Sequence, residues 1–180
     1  MPIKKIKSKV LKRKTLGDSE KSTRQKKLQS WDAIKTIGIL YRVPDETDYV
    51  RFTNFIAGLQ TEKKEVRTLG LVKTKMVPHY CYPRLAFDYF TPKDLNWFGK
   101  PGGPKVNDFI AKEFDILVNL DLTGDTVFDY IIGVSKARLK CGFYREDVVP
   151  LYDFMIRSGK PDLPEELMEQ IIVWLKALKP

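Results

Sequence analysis

The chain reads as a single α/β domain: a three-layer sandwich on a mostly parallel sheet of about four or five strands, with a basic helical extension at its N-terminus. Three observations predict this. Short apolar runs alternate with amphipathic stretches of about 10–15 residues, the pattern of strand–helix–strand units. The runs are apolar throughout, as strands covered on both faces are. The net positive charge is confined to one end of the chain.

The elements follow in order. At the N-terminus Ile3, Ile6, Val10 and Leu11 recur at helical spacing with lysines between them. Gly17 and Asp18 interrupt this pattern, and residues 19–30 read as a second, polar helix. Residues 35–41 (KTIGILY) are a buried strand, after which Tyr49, Phe52, Phe55, Ile56 and Leu59 share one face of a helix ending near Gln60. Residues 66–72 form the next strand. The proline-rich stretch 73–103 is irregular, with one extended piece at 85–90. Pro104 opens a helix through Phe114, residues 115–120 (DILVNL) are a strand, and 124–135 a helix. Residues 139–144 are the last strand expected, and 164–178 close the chain as an amphipathic helix. Ile37, Ile39, Leu117, Val118 and Leu120 are expected in the core.

The chain has 180 residues, long enough for one domain with a substantial core. Residues 1–29 hold Lys4, Lys5, Lys7, Lys9, Lys12, Arg13, Lys14, Lys21, Arg24, Lys26 and Lys27 against Asp18 and Glu20, a net of +9. That equals the charge of the whole chain, because the remainder holds 21 basic and 21 acidic residues (32 less 11, and 23 less 2). The sequence therefore divides into a basic arm, 1–30, and a neutral domain, 31–180. The two cysteines, Cys81 and Cys141, suit a reducing compartment better than a disulfide framework. No apolar run reaches the roughly 18 residues of a membrane span, and no secretory apolar segment follows the basic start. A cytoplasmic location is expected.

Three loops qualify as ligand sites, since open α/β sheets bind ligands beyond the carboxyl ends of their strands. In residues 42–47 (RVPDET), Asp45 or Thr47 suits a helix cap. In residues 121–126 (DLTGDT), Thr123, Gly124, Asp125 and Thr126 suit either a cap or an anion at a helix start. Residues 99–105 (GKPGGPK) read as a rigid turn. Neither a dinucleotide fingerprint nor a Walker-type motif is present. His79 is the single histidine; with Cys81 and Cys141 it makes only three metal ligands, so no metal and no cofactor is expected. Asp88, Asp94 and Asp115 have no evident partner as catalytic bases. Aromatic residues crowd the stretch 80–98.

Residues 114–144 (FDILVNLDLTGDTVFDYIIGVSKARLKCGFY) resemble the N-terminal half of heptosyltransferase-type glycosyltransferases. The matching residues are Asp115, Leu120, Asp121, Ser135, Ala137, Gly142 and Phe143. That resemblance implies an α/β fold, and glycosyl transfer in those enzymes uses a second domain. The combination of residues 96–101 (NWFGKP) with EFDILVNL and KARLKCGFY is similar to an uncharacterised bacterial family of small cytoplasmic α/β proteins.

Eleven cations in 29 residues, interleaved with Ser, Thr and Gln, suit contact with a phosphate backbone without base readout. The function expected is that of a non-enzymatic RNA-binding or ribosome-associated accessory protein docking through the arm. RNA, ribosomal RNA in particular, is the expected partner, with another protein as the alternative one. The second reading is a transferase-like domain binding a nucleotide or phosphosugar at Asp45 and residues 123–126. Removal of residues 1–29 is expected to abolish RNA binding and leave thermal stability nearly unchanged.

Overall fold

A computed structural model describes residues 2–82, 84–157, 159 and 161–178, with side chains from residue 6 onward. Its element order is α1 (Pro2–Glu20), β1 (Thr36–Arg42), α2 (Glu46–Thr61), β2 (Glu65–Leu71), β3 (Phe87–Phe90), α3 (Pro104–Ala111), β4 (Ile116–Asn119), α4 (Thr126–Val134), β5 (Leu139–Phe143), β6 (Phe154–Ile156) and α5 (Pro164–Ala177). The sheet has six strands, all parallel, in the order β3-β2-β1-β4-β5-β6. The strand beyond the expected five is β6, three residues at the sheet edge, too short to show a periodicity.

The pleat divides the core in two. Ile37, Ile39 and Tyr41 of β1 and Ile116 and Val118 of β4 face α2 and α5, which bring Phe52, Ile56, Leu167 and Ile171. Leu40 and Leu117 point the other way, against Phe109 of α3 and Phe128, Ile131 and Ile132 of α4. All five core residues expected from the sequence are buried. Gly38 faces the α3 layer, where a Cβ would stand 2.8 Å from the Phe114 ring.

The opposite edge of the sheet, at the amino ends of the strands, is tied by Asp115. Its carboxylate accepts from the backbone N–H of Lys35 (2.9 Å) and Thr36 (3.0 Å) and from Arg138 (3.1 Å). Burial alone would raise this carboxyl, but the two backbone N–H groups hold it below the ordinary aspartate range. Asp115 is therefore a tether, far from a base's task. Asp88 pairs with Arg67, and Asp94 accepts the backbone N–H of Thr91 at the start of a short 3-10 turn.

The strand order reverses between β1 and β4, since β1 leads to β2 on one side and the later strands lie on the other. Crevices at such switch points, beyond the carboxyl ends of the strands, are where open α/β sheets hold ligands.

Candidate nucleic-acid interface

The crevice between β1 and β4 is occupied by the protein's own side chains. Arg42, the last residue of β1, donates to Asp125 at 2.7 Å and to Asp121 and Thr123 at 3.4 Å each. Thr123 gives its hydroxyl proton to Asp121, Asp121 also accepts the Asp125 backbone N–H (2.8 Å), and Asp125 caps α4 through the Val127 N–H. Asp45 caps α2 through Asp48 N–H at 3.0 Å. Of the loop residues singled out by sequence, Thr123 and Asp125 are thus committed to one network, while Asp45 caps a different helix. Gly124 adopts φ 75°, and Arg145 lies so close that a Cβ would be 2.5 Å from its guanidinium.

A second network backs the first. Asp129 on α4 is buried, pairs with Arg145 at 2.5 Å and accepts from the Tyr152 hydroxyl, which in turn accepts from Asn119 at 2.8 Å. Burial raises the Asp129 carboxyl despite the adjoining guanidinium. Arg42, Arg145 and Asp129 were not visible as a group in the sequence, because Arg42 lies far ahead of the other two and the three share no motif.

The N-terminal segment is docked. Leu11 and Thr15 are each 1% exposed, and α1 packs along α4. The contact is close because position 133 is glycine: a Cβ there would stand 2.9 Å from the Thr15 methyl. Asp18 accepts from the Tyr130 hydroxyl, and Lys12 pairs with Asp147 at 2.6 Å. The chain then leaves α1 at Glu20. Ser22 donates to Val134 O, Arg24 donates to Ala137 O and Arg138 O and pairs with Asp153 at 2.7 Å, and the Lys27 N–H reaches Arg138 O.

Two expectations are corrected by this arrangement. The helix does not stop at Gly17, and residues 22–30 are not helical. A glycine inside a helix costs about 1 kcal/mol, little against the burial of Leu11 and Thr15. The following residues instead give their donors to carbonyls at the C-terminal end of α4 and the start of β5. Nor is the segment energetically idle, since truncation at residue 29 would expose the α4 face and leave Asp153 without Arg24.

The eleven cations therefore divide by use. Lys12, Arg24 and Lys26 pair with carboxylates. Lys14 lies over the Phe98 ring, 5.4 Å from its centroid. Arg13, Lys21 and Lys27 are exposed. Lys7 and Lys9 line a cleft of about 770 Å³ between α1, the loop 95–99 and residues 124–127. The Lys4 and Lys5 side chains lie outside the described residues.

Across this cleft from the lysines stand Asn96, Phe98 and Trp97, the last 72% exposed. Thr126 and Gly124 close it below, so the ligand loop expected from sequence supplies part of its wall. A neighbouring hollow holds Lys14, Lys93 and Lys100 beside Gly102 and Gly103. His79 is exposed near Glu46, whereas Cys81 and Cys141 are buried, with burial pushing the Cys81 thiol up to about 11. Among the described residues no group of His, Cys, Asp and Glu side chains is arranged to hold a metal. No described helix is long and apolar enough to cross a membrane.

Residues 5–178 match the model of a family of unknown function, DUF6913. The chain belongs to that family. No curated protein matches it. Among solved structures, this DUF6913 member is similar to the crystal structure of the glycosyl transferase family 9 from Veillonella parvula DSM 2008, at 10% identity and a TM-score of 0.48. The match covers 83% of this chain and 43% of that one, so the DUF6913 member spans less than half the length of that protein.

Proposed function

We propose that this protein is a cytoplasmic, non-enzymatic accessory protein that binds RNA, ribosomal RNA in the first instance, along its N-terminal helix. The observation that carries this reading is the basic and aromatic cleft: Lys7 and Lys9 face Trp97 and Phe98, on a body with no net charge of its own. Cations that track a backbone beside aromatic rings that accept stacked bases are the elements of single-strand binding. The exposed Arg13, Lys21 and Lys27 extend the basic surface beyond the cleft. Salt sensitivity is the expected signature, because each phosphate neutralised on a single strand contributes a slope of about −0.7 in log K against log salt.

Truncation is a poor test, since the same segment holds the fold together. The better variant reverses Lys9, Arg13, Lys21 and Lys27 to glutamate, none of which has a carboxylate partner among the described residues. Fluorescence anisotropy with a single-stranded RNA should show strong binding by the native protein and a salt slope shallower by about 3 in the variant. Equal affinity and slope for both proteins would remove the helix from the interface.

The volume of the cleft favours a second reading, a transferase-like domain holding a nucleotide or phosphosugar, because clefts of roughly 300–1,000 Å³ suit small ligands. That reading requires saturable binding of a nucleoside diphosphate that changes little with salt and is lost in Trp97→Ala.

A further inference from the structure

On the α4 side of β5 the sheet places a lysine where a hydrocarbon is expected. Lys140 is 3% exposed, and its register partner on β4 is Leu117. Its Nζ donates to Gly133 O at 3.0 Å, a carbonyl in the last turn of α4. No carboxylate among the described residues pairs with it. Asp153 is taken by Arg24 at 2.7 Å and Lys26 at 3.4 Å, and its other oxygen accepts the backbone N–H of Lys140. A cavity of about 400 Å³ opens beside the amine, between the N-terminal segment and the body, and Thr23, Arg24 and Lys26 line it.

Burial, reinforced by the positive charge of Arg24 and Lys26 and only partly opposed by Asp153, brings this ammonium down to about 7. Glu20, also at the cavity wall, is the remaining charged group facing it. A substantial share of the Lys140 amines is then uncharged near neutral pH, whereas an exposed lysine is almost wholly protonated. A buried uncharged amine beside a cavity is a nucleophile in search of a carbonyl carbon.

We propose that Lys140 is the amine of a covalent site for a small carbonyl compound carrying an anionic group, such as a 2-oxo acid. The site is separate from the α1 cleft and does not depend on the RNA reading. The Lys140 nitrogen lone pair attacks the carbonyl carbon and opens its C–O π bond to a carbinolamine. Loss of the carbonyl oxygen with both amine hydrogens as water leaves the C=N bond, so no oxidant or reductant is consumed. On protonation, the iminium N–H points back to Gly133 O at the negative end of the α4 dipole. Arg24 and Lys26 supply the field that draws in the anionic group, and Thr23 supplies a hydroxyl donor.

The test traps the imine in the full-length protein. Glyoxylate and cyanoborohydride are added at pH 7, and the modified peptides are mapped by mass spectrometry. Lys140 should be alkylated at least ~10-fold faster than any other lysine, in line with its share of neutral amine. The preference should shrink at pH 10, where surface lysines lose their protons. Uncharged propionaldehyde should show a weaker preference for Lys140 than glyoxylate does. Lys140→Met should retain the native circular dichroism and lose only the fast adduct. Labelling of surface lysines ahead of Lys140 in the native protein would overturn the site. Equal rates for the two aldehydes at Lys140 would overturn the anionic class of its ligand.

Discussion

Gly38 in the middle of β1 shows how narrowly single positions are set in this molecule. The Phe114 ring lies where its Cβ would be, with Leu117 at 2.9 Å beside it. Gly38→Ala should therefore cost about 1–3 kcal/mol, the ordinary range for overpacking, read as a lower urea midpoint at unchanged slope. Lys140 carries a cost of a different kind. Its folded value, about 7, lies below the ordinary 10.5. Between those values the unfolded chain holds a proton that the folded one lacks, so stability rises with pH across that window, by up to about 1.4 kcal/mol per unit. The cost is complete below pH 7. Lys140→Met removes the titration, so its stability should be flatter from pH 7 to 10.5 and higher than the native protein's at pH 7. Parallel profiles would show that the amine is solvated after all. Neither residue announces itself in the sequence. A glycine in a strand and a lysine in KARLKCGFY read as ordinary until the ring of Phe114 and the end of α4 are placed beside them. The buried aliphatic residues were legible because hydrophobic runs report burial directly, and Ile37, Ile39, Leu117, Val118 and Leu120 are all in the core.

The elements separate by how much of their stability is local. The helices with a wide apolar face, α2, α4 and α5, were readable from spacing alone. Helix α1 was read as two pieces, because Gly17 looks like a terminator when the partner surface is unknown. Its continuation to Glu20 depends on α4, and the irregular course of residues 22–30 depends on carbonyls more than a hundred residues away. The short edge strand β6 was missed for a related reason: three residues pair with β5 without generating a pattern. Helix α1 should behave accordingly. Leu11→Ala removes a fully buried side chain from a contact one helix deep, at a cost of about 2–5 kcal/mol. Hydrogen exchange should then accelerate in α1 and in residues 21–30 while β1 and β4 stay protected. Acceleration spread evenly through the sheet would show that α1 and the core open as one unit.

At the scale of the molecule, the alternation of strands and helices was sufficient to predict a parallel sheet covered on both faces, and it has six strands with helices on each side. The strand order was not legible, because pairing between β1 and β4 joins segments about eighty residues apart and leaves no local trace. The candidate site was legible in halves. The charge asymmetry is arithmetic, and the loop 121–126 was singled out by its residue types. The side chains that fill the crevice, Arg42 above all, and the aromatic wall at Trp97 came into view only once the chain was folded. Tryptophan emission offers a direct check on that wall. Trp31 is buried with its indole N–H on Glu62, whereas Trp97 is exposed at the cleft. Single-stranded RNA should quench the native protein by the amount that Trp97→Phe removes, and equal quenching in the two proteins would place the bases elsewhere.

The N-terminal segment begins against α4 on one face and reaches Trp31 under α5 on the other, crossing the amino ends of β4 and β5 on the way. Chain order and assembly order are therefore opposed. Lys12 waits for Asp147 and Arg24 for Asp153, contacts separated by 135 and 129 residues. During synthesis this segment is made well before the residues that seat it. Most of a helix's stability in a protein comes from tertiary packing, and this one is rich in mutually repelling lysines. The carboxylates that pair with Lys12, Arg24 and Lys26, those of Asp147 and Asp153, lie more than a hundred residues further along the chain.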